Sequence, residues 1–101
     1  MKYLVTATPK GVPIPPDQAA DLFQVAKDWM NTRINDGTID CSYVFLGGGG
    51  FSISNGDTHE EVYSGLTSYP MYPFFSWEVK ALCDWEYTFN LTIERYKEAA
   101  S

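Results

Sequence analysis

The chain has 101 residues, a net charge of -6 and an aromatic content of 16%. That length suits one domain, and a domain this small buries only roughly 60–70% of its unfolded surface, so a single copy is marginally stable. Seven Lys and Arg, scattered along the sequence, are too few for a nucleic-acid backbone or an anionic bilayer, and no run approaches the ~20 apolar residues of a membrane span.

Residues 2–8 (KYLVTAT) alternate as a strand does, and the four prolines between Pro9 and Pro16 then impose a loop. Pro16 suits the first turn of a helix, and Asp17 and Asp21 suit its positive end. From Asp17 to Asn35 the residues Ala19, Leu22, Phe23, Ala26, Trp29, Met30 and Ile34 recur at helical spacing, a stripe made to face a sheet, and Gly37 is a natural cap. Ile39, Cys41, Tyr43 and Phe45 form an alternating second strand, and Phe51 to Ser54 resume that period beyond Gly47–Gly50. Two such runs around glycines predict a hairpin.

After the turn at Asn55-Gly56-Asp57, Thr58 or Asp57 with Glu60 or Glu61 predicts a capping box, and Val62, Tyr63 and Leu66 the apolar face of a short helix. A proline-broken aromatic connection, Tyr69 to Pro73, leads into a fourth strand from Phe74 to Cys83 with Phe75, Trp77, Val79 and Ala81 on one side. Residues 84–101 form a tail of helical spacing. The order β-α-β-β-α-β fits a ferredoxin-like α+β unit over residues 1–83: a four-stranded antiparallel sheet with both helices on one face. The aromatic content exceeds what one small core hides, so at least a homodimer is expected, with a partner sheet over the open face and the tail either folding on its own subunit or reaching across to a neighbour.

Met1-Lys2 leads into an alternating stretch with no apolar leader, which points to the cytoplasm. Cys41 and Cys83 are each expected inside a strand, as buried free thiols.

The segment Tyr69-Pro70-Met71-Tyr72-Pro73-Phe74-Phe75-Ser76-Trp77-Glu78-Val79 resembles the muconolactone isomerase family, which carries a Pro-x-aromatic-Pro-aromatic run into a strand ending in Glu-Val. Asn35-Asp36-Gly37-Thr38 is similar to that family's turn after its first helix, and Phe51-Ser52-Ile53 to its third strand. The resemblance extends over most of residues 1–83 and implies a dimeric α+β barrel. The acidic residue and lysine late in the family's first helix read Ala26 and Lys27 here. The second strand carries Asp40, Cys41 and Val44 where the family is rich in Arg and His, and one residue is missing near Gly47–Gly50.

Shifting a double bond in an unsaturated lactone requires a base beside a carbonyl and a donor or cation for the developing oxyanion. Asp40 and Glu78 are the candidate bases, and Lys27 or Tyr43 the stabilising group. Trp29, Tyr43, Tyr72 and Phe75 are the candidate walls of a pocket, in which a carboxylate would have a raised pKa. Each also has a plain reading: Asp40 and Glu78 fall on the polar phase of their strands, Lys27 is a helix-surface lysine, and the aromatics are packing at a sheet edge. His59, the sole histidine, falls at an exposed helix start. With two separated cysteines it makes no zinc set, and no metal or cofactor is expected. Gly47–Gly50 is not a phosphate loop, because a strand and not a helix follows.

Three functions are consistent with these residues: a cofactor-free isomerase acting on a small unsaturated lactone or organic acid, a non-catalytic binding or assembly module, and a cofactor-free monooxygenase-like barrel. The ligand in the first is a small, largely apolar organic acid or lactone.

Overall fold

The computed structural model describes all 101 residues. Its elements run β1 (Lys2–Pro9), α1 (Pro16–Asn35), β2 (Ile39–Val44), β3 (Gly50–Asn55), α2 (His59–Thr67), a 3-10 turn (Tyr72–Phe74), β4 (Phe75–Leu82) and α3 (Trp85–Ala100). The sheet order is β2-β3-β1-β4, with β1 antiparallel to both β3 and β4 and β2 antiparallel to β3. This is the ferredoxin-like arrangement expected of a β-α-β-β-α-β order.

Local chemistry explains the element ends. Pro16 opens α1, where its missing N–H is not needed. Gly37 follows the helix at φ +81°, a left-handed conformation that favours glycine. Thr58 caps α2: its hydroxyl accepts from the Glu61 N–H at 3.1 Å, while Glu61 Oε2 accepts from the Asp57 N–H at 2.9 Å. The β2–β3 hairpin closes through the Phe45 N–H donating to the Gly49 carbonyl at 2.8 Å. Gly48 and Gly49, at φ +101° and +76°, turn the chain there, so the glycine run is a hairpin loop entering β3.

The strand register sorts the two faces of the sheet. Tyr3 and Val5 of β1, both buried, point toward the helices together with Ser54 and Ser52 of β3 and with Ala81, Val79 and Trp77 of β4. Leu4 and Thr6 point to the other face beside Ile53 and Phe51, with Cys41 and Tyr43 of β2 next in the row. A bulge between Ile39 and Cys41 lets buried Ile39 face the helices while Asp40 turns toward Lys2 and Asn55.

Only seven residues are buried, among them Tyr3, Val5, Ala26, Ile39, Val62 and Met71. The α1 stripe is therefore only partly covered: Ala26 is buried, Trp29 and Met30 are half-buried, and Phe23 and Ile34 are exposed. Tyr63, expected on the apolar face of α2, is exposed as well. Cys83 lies beyond the end of β4 and is exposed, and Cys41 is half-buried. The cysteines are free, but the expectation of two buried strand thiols does not hold. β4 stops one residue short of Cys83 because Asp84 turns the chain to cap α3, its carboxylate accepting from the Tyr87 N–H at 2.9 Å.

The tail is a 16-residue helix with no buried residue. It extends from the body, and the molecule measures 68 Å along its long axis against 28 and 22 Å across. Trp85, Phe89, Ile93 and Tyr96 share one side of it, all exposed. No helix is long and apolar enough to cross a membrane.

Candidate functional site

The sparse core follows from a cavity of about 570 Å³ between the helices and the sheet, within the range of small-molecule sites. Its floor is sheet: Val5 and Ala7 of β1, Ser52 and Ser54 of β3, and Ser42 of β2. Ser42 and Ser52 are directly paired across strands, and Ser52 is paired in turn with Val5. Hydroxyls thus occupy inward positions where β-branched apolar residues would close a dry core. The roof is Phe23, Trp29, Met30 and Arg33 of α1 with Val62 and Leu66 of α2.

One end is aromatic. Trp77 sits at the hub of the proline segment: its indole N–H donates to the Tyr72 carbonyl at 3.0 Å, and its ring lies parallel to that of Tyr72 with centroids 5.8 Å apart. Phe75 and Tyr69 meet Trp77 edge to face at 5.7 and 5.8 Å. The prolines make this possible, because Pro73 holds the 3-10 turn and the N–H of Phe74 donates to Met71. Burial pushes the Tyr69 phenol above its ordinary pKa, so it remains a neutral hydroxyl on the cavity wall.

At the roof, Trp29 and Arg33 converge on Ser68. The Trp29 indole N–H donates to its hydroxyl oxygen at 3.1 Å, Arg33 Nη2 donates at 3.0 Å, and that hydroxyl donates to the Gly65 carbonyl at 2.6 Å. The guanidinium lies 4.7 Å from the centre of the Trp29 ring.

The residues singled out in the sequence separate into two groups. Trp29 and Phe75 line the cavity, and Tyr72 stands behind it, stacked on Trp77. Tyr43 is at the cavity rim, but its ring packs against Phe51 on the opposite face of the sheet at 5.7 Å. Lys27, Asp40 and Glu78 are not brought together. Lys27 is exposed on α1, Glu78 lies on the outer face beside Lys80 at 3.0 Å, and Asp40 pairs with Lys2 and Asn55 on that same outer face. The Lys2 and Asn55 hydrogen bonds hold the Asp40 carboxyl below the usual carboxylate range, the reverse of the raised value expected for a base in an apolar pocket. The bulge is the cause: it turns Asp40 out toward water and toward a cation.

The cavity's own charged residues are Arg33, which no sequence pattern singled out, and Glu61, expected only as a capping residue. Arg33 is one residue short of Ile34 in the apolar stripe, and it reads as a helix-end cation. Its i, i+4 spacing from Trp29, which brings guanidinium and indole together, was the available signal. His59 is exposed at the start of α2, yet it is engaged by Tyr3, with the phenol oxygen 2.8 Å from Nδ1. No cluster of three or more His, Cys, Asp or Glu is positioned to hold a metal ion.

Element order and sheet order together define a ferredoxin-like α+β fold. Among solved structures, a muconolactone isomerase superposes with a TM-score of 0.74 at 23% identity, over 83% of this chain and 90% of that one. A 5-chloro-2-hydroxyhydroquinone dehydrochlorinase from Burkholderia phenoliruptrix, solved with 2,5-dihydroxybenzoquinone, superposes with a TM-score of 0.67 at 16% identity, over 86% of this chain and 98% of that one. The chain therefore has a muconolactone isomerase-like fold. No protein-family model matches the sequence, and neither does any curated protein.

Proposed function

We propose that the chain is a binding protein for a small, largely apolar organic acid or lactone, held in the cavity between helices and sheet, and that it works as an assembly of at least two copies. The observation that carries this is the 570 Å³ cavity itself, with an aromatic end built from Tyr69, Phe75 and Trp77 and a single cation, Arg33. Few residues of the chain are buried, and a ligand in this volume would add apolar burial. Both structural neighbours are named for enzymes of small ring compounds, which accords with a ligand of that size.

The second copy follows from two unpartnered apolar surfaces. The outer face of the sheet carries Leu4, Tyr43, Phe51 and Ile53, while its charges are already paired as Lys2–Asp40 and Glu78–Lys80, so covering it strands no single charge. The exposed stripe of α3, about 24 Å long at 1.5 Å per residue, has no surface of its own body to lie on. Residues 84–101 are accordingly assigned to a neighbouring copy and residues 1–83 to the body. Native mass spectrometry of the purified chain tests both parts. A dimer or larger assembly carrying a discrete small-molecule adduct supports them, and a strict monomer without adduct removes them.

Isomerisation by proton transfer is a second reading, favoured by the likeness to a muconolactone isomerase. It assigns the chemistry to Lys27, Asp40 and Glu78, which stand outside the cavity of one copy. It therefore requires a neighbouring copy to bring them to a ligand. Replacing the three in turn tests it: turnover that is unchanged in every variant eliminates these residues as catalysts.

A further inference from the structure

We propose that Arg33 is an anion anchor, binding the carboxylate of the ligand that the cavity takes; this inference rests on the cavity being a ligand site. The chain has thirteen Asp and Glu against seven Lys and Arg, so a cation facing the protein would be expected to find an acidic partner. The ion pairs are Lys2–Asp40, Lys80–Glu78 and Arg95–Glu98, and no carboxylate oxygen lies within 4 Å of Arg33. Arg33 as a whole is nevertheless half-buried, and its guanidinium is held in place.

Three contacts fix its position. Ser68 accepts from Nη2, the Trp29 ring supports the guanidinium plane, and Gly65 leaves the space it occupies: a Cβ on Gly65 would meet Nη1 at 3.2 Å. Ser68 is in turn oriented by its bond to the Gly65 carbonyl and by the Trp29 indole. One hydrogen bond to a neutral hydroxyl leaves most of the N–H fork unspent, and that fork matches the two oxygens of a carboxylate.

An arginine in the last turn of a helix also complements the helix dipole. That role is met by any solvated Lys or Arg. It requires neither the indole, nor the shared serine, nor a glycine on the facing helix. These features serve a cation whose direction matters. Arg33 lines a cavity that is otherwise mostly apolar, so the ligand that uses it is an anion with an apolar body.

The test compares 2-naphthoate with the neutral 2-naphthamide by isothermal titration calorimetry, on the full chain and on Arg33→Met. The wild-type chain should bind the acid about tenfold tighter than the amide, the scale of one charge-assisted contact. Arg33→Met should bring that ratio to about one. Arg33→Gln, which removes the charge and keeps a polar stem, should also bring the ratio to about one and provides the same comparison should Arg33→Met fail to fold. Amide binding with no preference for the acid in the wild type, or a preference that survives in both variants, would overturn the anchor and leave the cavity as a ligand site. Neither probe binding to any protein would overturn the anchor together with the reading it rests on.

Discussion

The phenol oxygen of Tyr3 lies 2.8 Å from Nδ1 of His59, and the two rings meet nearly perpendicular with centroids 5.8 Å apart. This contact ties the first strand to the first residue of α2 across the body of the protein. Tyr3 is buried, and the imidazole is the nitrogen partner of its hydroxyl. His59→Ala should destabilise the fold by about 1–3 kcal/mol, and Tyr3→Phe, which removes donor and penalty together, by about 1 kcal/mol. Urea unfolding followed by tryptophan fluorescence measures both. Equal midpoints for wild type and His59→Ala would show that the pair contributes nothing.

Glycines in the β2–β3 loop are not equivalent. Gly49 is at φ +76°, and a Cβ there would run into the Ala7 carbonyl of β1, whereas Gly47 has open space around it. Gly49→Ala should cost about 1–3 kcal/mol through strain, and Gly47→Ala should stay within about 0.5 kcal/mol of wild type. Thermal unfolding of the two variants side by side decides the matter.

Asp40 links stability to pH. Its carboxyl is held below its ordinary value by the Lys2 and Asn55 hydrogen bonds. A carboxyl whose folded pKa is depressed stabilises the protein above its unfolded pKa, about 3.9, and that contribution is lost as pH falls through the folded value. The unfolding midpoint of wild type should therefore exceed that of Asp40→Asn near neutrality, and the difference should shrink below about pH 4. Because the pair is exposed, the difference should be small and should weaken in high salt.

Phe89 of α3 is 62% exposed and touches no core of its own chain. Phe89→Asp should leave the fold of the body unchanged by circular dichroism while shifting the assembly toward smaller species in sedimentation velocity. An unchanged sedimentation profile would mean that the stripe is not an assembly surface.

Met71 is the most completely buried side chain, at 1% exposure, and lines the cavity from within the aromatic-proline segment. Met71→Ala should cost about 2–5 kcal/mol and loosen the aromatic end of the cavity. Near-ultraviolet circular dichroism should then lose intensity from Trp77, Tyr72 and Tyr69, whose rings pack against one another in and beside the same segment.

Local signals along the chain were enough to determine the fold class. Alternation in residues 2–8 and 39–45, the α1 stripe, the Thr58–Glu61 box and the prolines around Tyr72 act over a few residues, and each element formed close to where those signals placed it. The site depended on relations that no local pattern contains. A one-residue bulge at Asp40 turned a candidate base outward to Lys2, while Glu78 kept the polar phase that alternation had given it. The cavity's cation emerged only when α1 and α2 came together, because Arg33 needs Trp29 from its own helix but Gly65 and Ser68 from sequence positions more than thirty residues on. Periodicity records which face of an element is apolar. Which side chains meet across two elements is set by register, bulges and helix approach, and those are properties of the assembled tertiary structure alone.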